Sequence, residues 1–580
     1  MGNPVLRIEN LSIRFRRGDV FDNALKNISL QIEKGKILGL VGESGSGKSV
    51  TSLAIMGLLN IPPAEIVSGS IFFTGKSGKT VDLLTIQEKE KRKFRGREIA
   101  MVFQEPMTSL NPVYTCGKQV MEALLLDESH NRKSAKARTL ELFEEVRLPS
   151  PDRIFSAYPH EISGGQKQRV MIAMALSGNP SLLIADEPTT ALDVTVQKSI
   201  LSLLNSIREK YGMAMLFISH DLGIVAEIAD SVAVMSKGVI VECNDIHSIF
   251  TNPQHPYTQG LIACRPPTDI RLKTLPTVNS FLTEQEAKGT DSSNNQIFNR
   301  IEIRPEERKE RLDKLYKSKP ILEVKDINTE FVTGRSWTGK TKKSLKAVNH
   351  VSIDVFEGET LGLVGESGCG KTTLGRTILR LVNSASGQII YKGIDITHLS
   401  RSEMRAFRKN MQIIFQDPYS ALNPRMSVGT AITEPMQVHG IISNSNDRKQ
   451  KAIDLLGKVG LNEQFFERYP HEMSGGQRQR ISIARALALN PEFIILDESV
   501  SALDVSVQAQ VLNLLNELKE EFRFTYVFIS HDLSVVKFMS DRIIVMKNGK
   551  IEEEGDADRI YFHPEKEYTR SLIASIPGMK

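Results

Sequence analysis

Two glycine-rich stretches of this 580-residue chain have the composition needed to wrap a polyphosphate. One runs Gly42, Glu43, Ser44, Gly45, Ser46, Gly47, Lys48, Ser49; the other runs Gly365, Glu366, Ser367, Gly368, Cys369, Gly370, Lys371, Thr372. Glycine reaches the positive-φ conformations that aim successive backbone N–H groups at one centre, and the N-terminus of a following helix adds partial positive charge. The lysine neutralises β- and γ-phosphate oxygens, and the Ser49 or Thr372 hydroxyl is a ligand for Mg²⁺. The expected cofactors are ATP and Mg. A ligand-free glycine turn is the bland alternative, and two full matches in one chain argue against it.

Phosphoryl transfer also needs carboxylates and a group that senses the γ-phosphate. Asp186-Glu187 closes the apolar run SLLIA, and Asp497-Glu498 closes FIIL. In each pair the aspartate is placed to hold Mg²⁺, and the glutamate is placed to orient or deprotonate the attacking water. His220 and His531 each follow an apolar run and precede an aspartate in the repeated FISHDL. An imidazole there can donate to the γ-phosphate or to the water, whether neutral or charged. Singly, such acidic pairs or histidines read as loop caps or surface residues; their recurrence beside the glycine loops favours one convergent site.

The elements that must position these residues come in two copies. Ile37–Val41 and Leu361–Val364 are apolar runs that lead through the glycine loops into helical patterns, as in a strand, loop, helix unit. Several continuous apolar runs imply buried parallel strands whose carboxyl ends carry the polar groups. Lys48 and Lys371 are 323 residues apart, Gln104 and Gln416 are 312 apart, and Ser163/Ser474 and His220/His531 are both 311 apart. Insertions therefore fall near 61–79 in the first copy and 335–344 in the second, and the expectation is that they occupy loops. The polar stretch 268–319 reads as a solvated connector with a short charged helix. The domain reading is 1–267, a linker 268–319, and 320–580.

Composition excludes several classes. A hydrophobic fraction of 40% and a charged fraction of 25% describe a globular chain of several domains. No apolar stretch reaches the ~18 residues a transmembrane helix needs, and residues 1–17 lack a secretory apolar core, so a cytoplasmic location is expected. Four dispersed cysteines form no CxxC pair, which argues for reduced thiols rather than zinc or disulfides. A net charge of +5 falls short of a nucleic-acid binder, and the basic run Lys89–Arg97 reads as a solvated helix face.

With these residues in hand, Ser163, Gly164, Gly165, Gln166 and Ser474, Gly475, Gly476, Gln477 resemble the signature motif of ABC ATPases. The resemblance implies an α/β fold with two tandem P-loop domains, each a RecA-like core with a helical subdomain. It implies that the signature of one half caps ATP on the loop of the other, so that Lys48 faces Ser474 and Lys371 faces Ser163. Gln104 and Gln416 resemble the family's glutamine loop, which contacts Mg²⁺ and a transmembrane subunit; Asp193 and Asp504 in ALDV resemble its aspartate loop. Phe15 and Phe331 occupy the place of the aromatic that stacks on adenine, although either reads equally well as a core residue. Both copies retain Lys, Asp, Glu, signature Ser and His, so two hydrolytic sites are expected.

EPMTSLNP (Glu105–Pro112), DPYSALNP, the YPHE before each signature and NPQHPYTQGL (Asn252–Leu261) are similar to the ATPases of peptide-class importers, including fused glutathione, dipeptide and oligopeptide types. That implies two transmembrane permeases and an extracytoplasmic substrate-binding protein as partners, no direct nucleic acid, and a peripheral position on the cytoplasmic face of the inner membrane. Some members carry a cysteine-rich tail that holds an iron–sulfur cluster; here only Cys264 follows the HPYT segment, and no cluster is expected. His563–Leu572 is a looser HPYT-like match. The rival reading, a soluble tandem ATPase acting on ribosomes or nucleic acid, would carry a long basic arm between its halves, where 268–319 is mixed in charge.

Overall fold

The computed structural model describes residues 4–104, 109–126, 129–190, 192–267, 269–288, 302–335 and 341–576. Expectations that touch residues 105–108 of EPMTSLNP, 289–301 of the connector, 336–340 of the second insertion or the extreme ends of the two domains lie outside the described residues.

The apolar runs form one six-stranded sheet in each half. In the first, the order is Val239–Asp245, Ser231–Ser236, Ile37–Val41, Ala214–Ser219, Leu182–Asp186, Ile99–Val102, with every pair parallel except the outermost, antiparallel Val239–Asp245. The second repeats the order with Lys550–Asp556, Arg542–Lys547, Thr360–Val364, Thr525–Ile529, Phe493–Asp497, Met411–Ile414. The central strands read as unbroken apolar runs because both faces are covered: Ile37 and Val41 enter one core, and Leu38 and Leu40 enter the other. Each such side chain contributes about 1.5–3 kcal/mol when fully buried. This burial holds the strand ends, where the polar residues emerge, in a fixed frame.

A four-stranded antiparallel sheet accompanies each core. Leu6–Arg17, Val20–Ile32, Ala64–Thr74 and Thr80–Asp82 form the first; Pro320–Arg335, Thr341–Phe356, Ser386–Tyr391 and Ile394–Asp395 form the second. Of the first insertion, 64–74 is strand and 61–63 and 75–79 lie outside it; of the second, the described residues 335 and 341–344 are strand. The first copy lengthens the strand Ala64–Thr74, and the second lengthens the hairpin Pro320–Arg335/Thr341–Phe356. Antiparallel strands can grow at their free ends without disturbing the register that positions the core. Helices Cys116–Leu125, Arg132–Glu145 and Gly164–Leu176 form the helical subdomain of the first half, matched by Val428–Val438, Ser445–Lys458 and Gly475–Leu487. The basic run sits largely on helix Glu88–Phe94, which buries no residue.

The connector is less solvated than its composition implies. Leu272, Leu275, Val278 and Phe281 are buried against the core, at a three-residue spacing that the polar residues between them hide. The Leu275 N–H donates to Asn513 Oδ1 and the Asn513 amide donates to the Leu275 carbonyl, both at 2.8 Å. Helix Pro305–Leu315 is the charged helix: it buries no residue, and Arg308 pairs with Asp556 and Asp558 while Arg311 pairs with Asp541.

Candidate functional site

Each glycine loop joins a central strand to a helix, Ile37–Val41 to Lys48–Met56 and Thr360–Val364 to Lys371–Ile378. Gly47 and Gly370 cap these helices at φ 109°, a conformation that turns the preceding peptides inward and that a side chain would resist. Lys48 Nζ donates to the carbonyls of Gly42 (2.7 Å) and Glu43 (2.9 Å), and Lys371 Nζ repeats this with Gly365 and Glu366 at the same distances. Burial lowers the Lys48 ammonium, opposed by the charges of Asp504, Glu187 and Asp186. A buried ammonium held by carbonyls alone is poised to exchange them for phosphate oxygens.

The acidic pairs stand beside the loops. Thr372 Oγ1 donates to Asp497 Oδ1 at 2.8 Å, and Ser52 Oγ donates to Asp186 Oδ2 at 3.2 Å. Asp186 Oδ1 is buried without a hydrogen-bond partner among the described residues. Burial pushes both aspartates above the usual carboxylate range. An under-compensated carboxylate next to a Ser or Thr hydroxyl fits Mg²⁺, a cation that keeps most of its ligands from water and substrate phosphates.

Glu187 and Glu498 adopt φ 47° and 48°, a left-handed backbone that is costly for a glutamate. Their N–H groups donate to the carbonyls of Ile218 (3.0 Å) and Ile529 (2.9 Å) on the neighbouring strand, which fixes the turn that throws each carboxylate off the sheet edge. Glu187 Oε2 accepts from Gln104 Nε2 (2.8 Å) and Thr190 Oγ1 (2.9 Å) and lies 3.3 Å from His220 Nδ1. Glu498 Oε2 accepts from Gln416 Nε2 (2.7 Å) and lies 3.6 Å from His531 Nδ1. Burial would raise the Glu187 carboxyl, but His220, Thr190 and Lys48 outweigh it and bring it down to about 2. Glu498 is also lowered, by His531 and Lys371 against burial. His220 moves the other way: burial lowers it, and the hydrogen bond and charge of Glu187 raise it further than burial takes it down.

Ser163 and Ser474 cap the signature helices in matching capping boxes, accepting from Gln166 N–H and Gln477 N–H at 3.3 Å. Gly165 and Gly476 leave no room for a side chain, since a Cβ would meet Val196 at 2.6 Å or Val507 at 2.4 Å. Among the described residues no hydrogen bond joins either signature serine to the opposite glycine loop. The link between halves at the loops is made by Asp504, whose Oδ2 accepts the Ser44 N–H at 2.8 Å. Asp193 differs: it accepts from Val196 N–H of its own helix at 2.9 Å.

The two aromatic candidates part company. Phe15 is half-buried against the first core, whereas Phe331 is exposed. Cys369 is buried, with Sγ 3.8 Å from Lys371 Nζ, and its counterpart Ser46 holds a buried hydroxyl without a partner among the described residues. Sequence reasoning missed Ser52, one turn along the helix from Ser49, and Thr190, three residues after Glu187. Helical spacing pointed to the first; nothing local pointed to the second.

The ABC transporter family matches residues 25–190 and again 348–501, which together span more than half the chain. The C-terminal region of oligopeptide/dipeptide transporters matches 241–289. The chain is 44% identical over 574 residues to glutathione import ATP-binding protein GsiA of Pectobacterium atrosepticum, with 99% of this chain and 89% of that protein covered. The protein of the same name from Escherichia coli K12 is 44% identical over 576 residues, with the same coverage.

Proposed function

From the premise that the chain belongs to the ABC transporter family and is an ATP-hydrolysing import ATPase, we propose that its two halves form composite MgATP sites that power uptake of glutathione or a related small peptide. The observation that carries the cargo class is 44% identity along 99% of the chain to glutathione import ATPases, joined to the oligopeptide/dipeptide C-terminal match.

In this reading Lys48 and Lys371 neutralise the β,γ-phosphates, with the loop N–H groups around them. Ser49, Asp186 and Gln104, and likewise Thr372, Asp497 and Gln416, hold Mg²⁺ in the two sites. A cation bound there would neutralise phosphate charge. Glu187 and Glu498 orient the water. His220, Thr190 and Lys48 keep Glu187 ionised, the form that accepts a hydrogen bond from the attacking water. His220 and His531 steady these carboxylates and face the γ-phosphate. Ser163 and Ser474 close onto the opposite nucleotide.

No helix among the described residues is long and apolar enough to cross a membrane; in this reading, separate subunits pass the cargo. We assign two permeases to two related grooves between core and helical subdomain. One, of about 1060 Å³, includes exposed Phe103 and Leu126; the other, of about 400 Å³, includes Phe415 and exposed Val438. Each groove begins one residue before Gln104 or Gln416, so a permease segment lodged there would push on the magnesium-facing glutamine. In this reading the chain works at the cytoplasmic face of the membrane, with a binding protein delivering cargo from the other side. The test is uptake: deletion should abolish import of labelled glutathione and growth on glutathione as sole sulfur source, and Lys48→Ala/Lys371→Ala should fail to restore either. Undiminished glutathione uptake alongside lost uptake of another peptide would replace the cargo; intact uptake of every peptide tried would sink the reading.

A further inference from the structure

The segments behind the two glycine loops share a contact that their sequences disguise. Tyr257, on helix Pro256–Ala263, is 5% exposed, and its hydroxyl accepts the Glu43 N–H at 3.2 Å. Tyr568, on helix Glu567–Ile573, accepts the Glu366 N–H at 3.2 Å. The two tyrosines are 311 residues apart, the spacing of the signature serines and the histidines. His563–Leu572 therefore matches Asn252–Leu261 at this same offset. The structural counterparts are Pro253 with Pro564 and Tyr257 with Tyr568.

Each segment is anchored on the outer antiparallel strand of its sheet. The Glu242 carboxylate accepts the N–H groups of Gln254 (2.8 Å) and His255 (3.0 Å), and the Glu553 carboxylate accepts those of Glu565 (2.9 Å) and Lys566 (3.1 Å). Two dissimilar stretches, QHPYTQGL and EKEYTRSL, thus build the same route from a strand carboxylate through a helix to a loop peptide. That peptide matters because the carbonyl of the same residue, Glu43 or Glu366, accepts from the loop lysine. Its N–H is spent on the phenol.

We propose that Tyr257 and Tyr568 are positioning residues for the two phosphate loops. Each hydroxyl fixes the Glu43 or Glu366 peptide and so presets the lysine and the inward N–H groups for the β,γ-phosphates. Ordering a flexible glycine loop costs affinity when the ligand has to do it; a loop ordered beforehand avoids that cost. The inference rests on the loops being the ATP phosphate sites.

The test uses the full chain with Tyr257→Phe, Tyr568→Phe and both together, which remove one oxygen each and keep the ring packing. Loss of one hydrogen bond of ordinary strength should raise KM for ATP and Kd for ADP about 3- to 10-fold at the altered site. The kcat should stay within about twofold, and the nucleotide-free melting temperature should hold. Glu242→Gln or Glu553→Gln should raise KM at the same site through the same route. Unchanged KM and ADP affinity in the double Phe variant, or a fall in melting temperature and active fraction at constant KM, overturns the proposal while the ATPase reading survives. A wild-type chain that binds no ADP by calorimetry overturns both.

Discussion

Asp504 of the second half accepts the Ser44 N–H of the first glycine loop at 2.8 Å, while Asp193, its equivalent, turns back to cap its own helix at Val196. The two aspartates are therefore placed unequally, although both halves carry the same loop lysine, acidic pair, signature serine and histidine.

Removing that contact should separate the two aspartates functionally. A hydrogen bond to a charged group contributes about 1.5–3 kcal/mol. Asp504→Ala should lower ATP turnover by about tenfold, and Asp193→Ala by less; equal losses in steady-state assays would show that the asymmetry does not outlast nucleotide binding.

Glu187→Gln and Glu498→Gln should each leave partial ATPase, since each touches one site, and the double variant should fall by about 10²-fold or more. If one single variant turned over at the wild-type rate, its site would be silent.

The His220–Glu187 pair gives a pH signature. His220 is raised in the folded chain, so its contribution to stability is complete below the ordinary imidazole value of about 6.5 and is lost as pH rises through the higher folded value. Glu187, lowered to about 2, contributes fully above the ordinary carboxyl value of about 4.3 and loses this as pH falls through about 2. Glu187→Gln leaves burial as the main influence on His220, and its ring-proton NMR titration should move below its native midpoint. An unmoved midpoint would mean that another group holds the imidazole charge.

Cys369 should resist alkylation, because it is buried and burial raises its thiol. A thiol titration of the folded chain should find exposed Cys243 first, with Cys116, Cys264 and Cys369 appearing on unfolding. Since the first loop carries Ser46 at the matching place, Cys369→Ser should keep ATPase within about twofold. Rapid loss of activity on alkylation, prevented by ATP, would instead point to a loop that opens readily.

Much of this was legible in the chain. The strand, loop, helix units and the acidic strand ends follow from short-range patterns of apolar runs and glycines, and the repeat supplied their register. What was not legible is long-range. Gln104 meets Glu187 across 83 positions and Ser44 meets Asp504 across 460, so no local preference can encode either pairing. An antiparallel strand, Ala64–Thr74, takes up much of the first insertion, which motif offsets alone had assigned to a loop. Leu272, Leu275, Val278 and Phe281 were hidden because a few apolar residues among many polar ones change composition little while changing burial a great deal.

The connector carries a kinetic consequence. With Leu275 clipped to Asn513 and Arg308 and Arg311 held by Asp541, Asp556 and Asp558, the two halves meet as an intramolecular event. Their effective concentration is set by the strap, at about the millimolar scale of short linkers, and not by how much protein is present. Specific activity should hold constant on dilution to nanomolar levels, where two separate ATPase subunits would drift apart, and a cell making this chain has a one-to-one ratio of the two engines built into a single translation product.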